Sequence, residues 1–197
     1  MAKRLSKNER ELQAYQLAIG KVVMAWAELE AKIGQWFAPI TGMKRDMADA
    51  IFYSGRNFAT RADMAEASLK VSKLDQKSVN LVKTLLKVSR RYSSFRNAIA
   101  HDQHFNLHGD QIYTTSGSDW FSSLMEGRAY TIKDIEQAAI NIERLTYLAS
   151  GPDLWKEDAE GWEERHCEQI RQLPKDAHSR EPTLIRAVQR PMPKRSK

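Results

Sequence analysis

The stretch LDQKSVNLVKTLLKVSRRYSSFRNAIAHD, residues 74–102, predicts a long amphipathic helix around which the rest of the chain is arranged. Its apolar residues recur every three or four positions, which is the spacing of one helical face. They are Leu81, Val82, Leu85, Val88, Tyr92, Phe95 and Ile99. We therefore expect this face to lie against the core of the protein and the polar residues of the stretch to face away from it.

The polar face of this helix ends in an amide and an imidazole. On a helical wheel of roughly 100° per residue, Asn97 and His101 fall about 200° and 240° from Phe95, nearly opposite the apolar stripe. Arg96 falls between the two faces, and its long side chain could reach towards His101. The polar face continues towards the start of the helix as a basic and hydroxyl stripe formed by Lys83, Lys87, Arg90 and Ser94.

The remainder of the chain also predicts helices, so the fold class is all-α with a bundle of four to five helices. A long first helix begins near Leu12 and is expected to end around FAPITG, because Pro39 disfavours helix before itself. Shorter helical patterns cover residues 43–54 and 57–73. Thr131, with Asp134 three residues later, is typical of a helix start, and Gly151 closes that helix.

Two segments fall outside this helical pattern. Residues 104–120, HFNLHGDQIYTTSGSDW, predict a small hairpin or an irregular loop inserted after the long helix. Residues 1–151 form the predicted helical domain, and residues 152–197 a C-terminal extension with a short acidic helix around DLWKEDAEGWEER. Its last part, residues 174–197, has seven basic and two acidic residues and four prolines, so we expect it to be partly disordered. This tail could hold RNA phosphates or serve as a solvated linker.

The composition favours a polyanion as partner and gives no sign of a membrane protein. The 197 residues have a net charge of +6, and no apolar run approaches the ~18 residues of a membrane span. A single cysteine, Cys167, cannot form an internal disulfide, which fits a reducing compartment. We expect a cytoplasmic protein without cofactor or metal, since the sequence has no glycine-rich phosphate loop and no thiolate cluster.

The segment RNAIAH, residues 96–101, matches an R-x-x-x-x-H motif with a polar residue directly after the arginine. Together with its place at the end of a long helix, after a first helix of the type WAELEAKIGQWF (residues 26–37), it resembles the HEPN superfamily of small all-helical proteins. Many members of that superfamily are ribonucleases and toxins. The resemblance covers roughly residues 10–150 as a pattern of helices with one motif.

The resemblance implies a metal-independent endoribonuclease site made by Arg96 and His101, with Asn97 in support. It further implies a homodimer in which the two motifs meet at the interface, and a role in toxin-antitoxin or antiphage defence, with an antitoxin protein as a possible partner. The chemistry suits these residues, because histidine serves as acid or base near neutral pH and arginine stabilises a phosphate in the transition state. Attack by the 2'-hydroxyl would make RNA the substrate and leave a 2',3'-cyclic phosphate.

Other interpretations of the same residues stay open. The chain could be a non-catalytic helical module of the same fold that binds RNA, a nucleotide or a partner protein, or an interaction protein whose motif is accidental. The basic stripe could be an ordinary solvated helix face. Glu30 could steer a motif side chain or form a plain salt bridge.

The loop after the motif helix holds further candidates. His104 could touch the substrate, and His101, Asp102, His104 and His108 invite a metal site that the expected end of the helix argues against. Three aromatic residues of this region could stack on bases or fold the loop against the body, namely Trp120, Phe121 and Tyr130.

Overall fold

A computed structural model describes residues 5–101, 103–108, 111–115, 128–150 and 162–179, with side chains for 5–100, 130–150 and 163–179. Six helices are described: α1 (Lys7–Thr41), α2 (Arg45–Ser54), α3 (Phe58–Leu69), α4 (Gln76–His101), α5 (Ile132–Ala149) and α6 (Trp162–Gln172). Three strands lie between α4 and α5, namely β1 (Gln103–His108), β2 (Gln111–Thr115) and β3 (Arg128–Thr131). The protein is thus mainly helical, which confirms the expected fold class in outline.

Helix α1 begins at a capping box and ends within the segment FAPITG, as the sequence predicts. The Ser6 side chain accepts a hydrogen bond from the Glu9 amide, and the Glu9 carboxylate accepts one from the Ser6 amide. Pro39 lies inside the last turn, and α1 ends at Thr41, whose hydroxyl donates to the carbonyls of Phe37 and Ala38 at 2.8 and 3.1 Å. The expected end of α1 is confirmed, because Gly42 closes the helix in the left-handed conformation at φ 71° and the Thr41 hydroxyl satisfies two carbonyls of the last turn.

Helices α1 and α5 form the central pair of the fold and run parallel. The Lys21 ammonium lies 3.6 Å from the Glu136 carboxylate near the start of α5, and the indole nitrogen of Trp36 donates to the carbonyl of Ala149 at its end. That second bond is 3.0 Å long and buried. Buried apolar residues of both helices belong to the hydrophobic core, including Val22, Leu29, Ala138, Ile142 and Leu145.

Helix α4 buries the apolar stripe that the sequence predicts. Val88, Tyr92, Phe95 and Ile99 are all buried. Asp75 precedes the helix and caps it, because its carboxylate accepts hydrogen bonds from the backbone amides of Lys77 and Ser78 and from the Ser78 hydroxyl. It ends at His101, the last residue of the motif, so the motif occupies the C-terminal end of this helix as expected.

The segment after the motif forms an antiparallel sheet in the order β1-β2-β3. Strand β1 pairs with β2 with an irregularity between Phe105 and His108, and β2 pairs with β3. Of the two predicted possibilities, a small hairpin or an irregular loop, the pairing of β1 with β2 matches the hairpin. Strand β3 is an additional strand that the sequence pattern did not predict. Residues 109–110, the centre of the His-Gly-Asp turn, lie outside the described residues.

The core continues beyond the predicted domain boundary at residue 151. In the C-terminal extension, α6 and the segment after it bury Cys167, Ile170, Leu173 and Ala177 in the same hydrophobic core as α1, α4 and α5. The Tyr92 hydroxyl donates to the carbonyl of Pro174 at 2.9 Å, which ties this segment to α4. Most of the expected acidic helix, residues 153–161, and the basic tail from residue 180 lie outside the described residues.

Among the described residues, no helix combines the length and the apolar character that crossing a membrane requires.

Candidate functional site

The motif side chains described by the structure are joined by a hydrogen bond. Arg96 is half-buried and Asn97 is exposed, and the Arg96 guanidinium donates to the Asn97 side-chain oxygen at 3.0 Å. Neighbouring residues of a helix point about 100° apart, so this bond joins the half-buried arginine at the edge of the core to a side chain on the solvent face. His101 follows Asn97 by four residues on the same helix, and its own side chain lies outside the described part.

Helix α4 is strongly basic, because its 26 residues include three lysines and three arginines and no aspartate or glutamate. Within the described part of the chain, Lys77 and Arg90 of this helix form ion pairs with other elements. Lys77 forms an ion pair with Glu164 of α6 at 2.9 Å, and these hydrogen-bonding and charge interactions raise the pKa of Lys77. Lys83 and Lys87 are exposed, and no carboxylate of the described residues pairs with them. They supply positive charge on the side of the helix that leads towards Asn97.

Arg90, which the sequence places in the same stripe, faces α3 instead of open solvent. Its guanidinium contacts the carboxylates of Glu66 at 2.5 Å and Asp63 at 2.6 Å. Partial burial lowers the pKa of Arg90, but the hydrogen bonds to the two carboxylates outweigh this effect and raise it. Arg90 therefore joins α4 to α3 and is already engaged by two anionic groups, which leaves it poorly placed to bind a phosphate.

Glu30 pairs with Arg61 of α3, so its contact is the plain salt bridge that the sequence left open. The two side chains are only 18% exposed, and a guanidinium nitrogen lies 2.6 Å from the carboxylate oxygen. Arg61 also donates to the carbonyl of Gly55 at 3.0 Å and lies over the ring of Tyr53 at 5.1 Å. The partners of Arg61 hold α1, α2 and α3 together.

The remaining predicted residues have mixed outcomes. Ser94 is exposed on α4, as the helical wheel predicts. His104 lies in β1, where it pairs with Thr114 of β2, and its side chain is outside the described part. Helix α4 ends at His101, whereas His104 and His108 belong to strand β1. These three histidines therefore do not lie on one continuous helix. Among the described residues, no group of three potential metal ligands is close enough to hold an ion.

Tyr130 belongs to the protein body, which favours the second of its two interpretations. It is buried and packs edge to face on Phe95, with ring centroids 5.0 Å apart and an interplanar angle of 79°. Such a contact is a common aromatic packing geometry. Trp120 and Phe121 lie outside the described residues, so base stacking by these two side chains stays a prediction.

Sequence reasoning missed His178, which lies against the motif helix. Its imidazole stacks on Phe95 at 5.3 Å with an interplanar angle of 22°, and it meets Tyr130 at 5.3 Å. Its Nδ1 atom is buried and has no hydrogen-bond partner among the described residues. No local signal could have found it, because residues 174–197 read as a basic tail and the contact depends on how the chain returns to α4.

Asn141 holds the segment that carries His178. Its buried amide nitrogen donates to the carbonyls of Ala177 and Ser179 at 2.6 and 2.9 Å, and its oxygen accepts from Gln137. Two backbone carbonyls on either side of His178 are thereby fixed to α5. The histidine is thus positioned by a buried polar contact and not by local secondary structure.

No family model, curated protein or solved structure matches this chain.

Proposed function

We propose that this protein is a metal-independent endoribonuclease of the HEPN type, with Arg96, Asn97 and His101 as the catalytic group. The observation that carries the proposal is the hydrogen bond from Arg96 to Asn97 at the C-terminal end of α4. It directs a guanidinium towards the face on which His101 follows one helical turn later. A toxin or antiphage-defence effector is the biological setting that the resemblance implies.

The proposed reaction is attack by the 2'-hydroxyl of a ribose on the adjacent phosphate. The oxygen loses its proton as it bonds to phosphorus, and the leaving 5'-oxygen gains a proton as its bond to phosphorus breaks. His101 serves as the acid or base in one of these transfers, since its ordinary pKa lies near neutrality. Arg96 stabilises the charge that grows on the phosphate oxygens, and Asn97 fixes the guanidinium for that task.

Lys83 and Lys87 would attract the RNA backbone along α4 before it reaches the motif. Their ammonium groups are exposed, and phosphate contacts of this kind position a nucleic acid without reading its sequence. Arg90 is left out of this role because of its two carboxylate partners on α3. His104 stays in the proposal as a neighbour of the motif along the chain.

The proposal includes a second copy of the chain, with the two motifs close together. Ser94 is exposed two residues before Arg96, on the side of α4 that carries Asn97, and its small side chain allows another helix to approach. A bulky Ser94→Trp variant should therefore abolish cleavage while unfolding at the same temperature as the parent protein. An unchanged cleavage rate for this variant would argue that each copy works alone.

An RNA cleavage assay in the presence of a chelator tests the function. Arg96→Ala and His101→Ala should each lower the rate by roughly 10²- to 10⁴-fold, with a terminal cyclic phosphate on the product of the parent protein. Arg91→Ala is the matched control, because Arg91 is an exposed arginine of the same helix outside the motif. The proposal fails if the folded protein leaves varied RNAs intact, or if His101→Ala cuts them as fast as the parent.

A further inference from the structure

Helices α1 and α5 present large apolar side chains to solvent on the outside of the bundle. Leu17 and Met24 of α1 are 63% and 70% exposed, and Ile140 and Tyr147 of α5 are 48% and 76% exposed. Single exposed apolar residues are common, whereas several on one surface indicate a contact with another molecule. These four side chains form one apolar patch only if the two helices present them on the same face.

The ion pair between Lys21 and Glu136 shows that the exposed apolar residues of α1 and α5 share one face. It joins α1 to α5 across the solvent side of the pair, with both side chains about half exposed. Lys21 lies within one turn of Leu17 and of Met24, and Glu136 lies one turn before Ile140. Leu17, Met24, Ile140 and Tyr147 therefore line one surface, which we name the α1–α5 face.

Helix α1 has a second seam along this face, separate from the seam that enters the core. Its positions alternate in steps of four and three, which is the spacing by which one helix packs along another. The seam consists of Gln13, Leu17, Gly20, Met24, Ala27 and Ala31. Gly20 faces open space, since a Cβ atom added there would meet no other group within 4 Å. Nothing in the described bundle covers this seam.

The order of residues along the seam fits a second copy of the same helix running in the opposite direction. Around Met24 as centre, the large Leu17 faces the position of the small Ala31 in the other copy. Lys21 lies three residues before Met24 and Glu28 four residues after it, so in the antiparallel pair Lys21 of one copy and Glu28 of the other are offset by one residue, about 1.5 Å along the helix axis. At that offset their opposite charges attract each other when the helix meets itself. A two-fold axis repeats each contact, as in most homodimers.

We propose that two copies of this chain pair through the α1–α5 face, with their α1 helices antiparallel and the two-fold axis near Met24. Ile140 and Tyr147 then flank the helix pair and add apolar contact at its sides. The contact is distinct from the pairing of motifs, which would use α4. In the described part of α4, no large apolar side chain is exposed, so the α1–α5 face is the better source of stable association.

Cysteine cross-linking of the full chain tests the geometry. Met24→Cys places a thiol beside its own copy at the axis, so mild oxidation should produce a covalent dimer at concentrations of roughly 1 to 100 μM. Val71→Cys is the matched control, since Val71 is 84% exposed and lies outside the face. The native Cys167 gives little background, because burial raises the pKa of its thiol. A Met24→Cys protein that cross-links no better than the control overturns the proposal.

Charge reversal tests the direction of the helices. Glu28→Lys brings two positive side chains together on each side of the two-fold axis and should weaken dimerisation by at least ~10-fold in sedimentation experiments. Adding Lys21→Glu to the same chain reverses both partners and should restore much of the affinity. A double variant that stays as weak as the single variant contradicts the antiparallel pairing, and a parent chain that is monomeric at ~100 μM overturns the dimer itself.

A third thiol separates this proposal from the proposed motif pairing. Ser94→Cys reports whether two α4 helices meet, independently of α1. Cross-linking at position 24 supports the α1–α5 contact whether or not position 94 also cross-links, and cross-linking at position 94 alone overturns it. RNA cleavage that depends on His101 would still support the ribonuclease in that last case.

Discussion

The guanidinium of Arg96 donates a 3.0 Å hydrogen bond to the side-chain oxygen of Asn97, the next residue along α4. Adjacent helical residues usually point in different directions, so such a bond commits the longer side chain to the face of the shorter one. Here it links the half-buried Arg96 to Asn97 on the exposed face of the motif. The polar residue after the motif arginine thus has a definite structural role.

Removing the Asn97 acceptor should impair cleavage without affecting the fold. In Asn97→Ala the guanidinium loses its orienting partner, and we expect kcat/KM to fall by roughly 10- to 100-fold. The free energy of unfolding should change by no more than about 0.5 kcal/mol, because Asn97 is exposed. Cleavage kinetics and urea unfolding of the same samples check both parts. Asn97→Asp is the informative companion, since it keeps an acceptor for Arg96 but should weaken RNA binding through its negative charge.

The salt dependence of RNA binding should distinguish Lys83 and Lys87 from Arg90. In a His101→Ala background that prevents cleavage, Lys83→Ala or Lys87→Ala should each reduce the slope of log affinity against log salt by about 0.7 for a single-stranded RNA. Arg90→Ala should leave the slope unchanged, because Asp63 and Glu66 already bind this guanidinium. Fluorescence anisotropy titrations at several salt concentrations measure the slopes. A slope for Arg90→Ala that falls as far as the lysine variants would show that RNA displaces the two carboxylates.

Breaking the Glu30–Arg61 ion pair should reduce stability and leave catalysis intact. Both side chains are mostly shielded from water, so Glu30→Ala leaves a positive charge without its anionic partner, at an expected cost of about 2 kcal/mol in the free energy of unfolding. Glu30→Gln should cost less, because the amide oxygen still accepts a hydrogen bond. Urea unfolding and RNA cleavage rates check the two expectations. If cleavage falls while stability is unchanged, Glu30 acts on the motif after all.

Acidification should remove the contribution of Asp75 to the start of α4. The hydrogen bonds from the Ser78 amide and hydroxyl lower the pKa of Asp75 in the folded protein, with a further bond from the Lys77 amide. A carboxylate whose folded pKa is below its unfolded value of ~3.9 stabilises the fold above that pH and loses the contribution as the pH falls through the folded pKa.

Asp75→Ala should therefore destabilise the protein by about 1 kcal/mol at neutral pH and by less near pH ~3. Urea unfolding at the two pH values measures the difference. Asp75→Asn serves as the control, because its amide oxygen can still cap α4 but does not titrate. An equal loss at both pH values for Asp75→Ala would assign its effect to packing and not to charge.

The helical periodicity of residues 74–102 was sufficient to predict α4 and to separate its faces. Phe95 and Ile99 are buried and Asn97 and Ser94 are exposed, as the spacing of the sequence requires. These properties are local, because 3.6 residues per turn decide which side chains share a face whatever packs against them. The end of α1 was equally predictable, because Gly42 adopts there the left-handed conformation that closes a helix, within the segment FAPITG.

The tertiary structure alone decided which residue each polar side chain meets. Periodicity placed Arg90 and Lys87 on the same polar stripe of α4. Only the position of α3 decides that its carboxylates, Asp63 and Glu66, pair with Arg90 and leave Lys87 exposed. His178 reaches Phe95 only because Asn141 and Tyr92 hold the returning chain against α4 and α5. The physical reason is that the direction of a side chain follows from the geometry of its own helix, whereas its partners depend on which distant elements pack beside that helix.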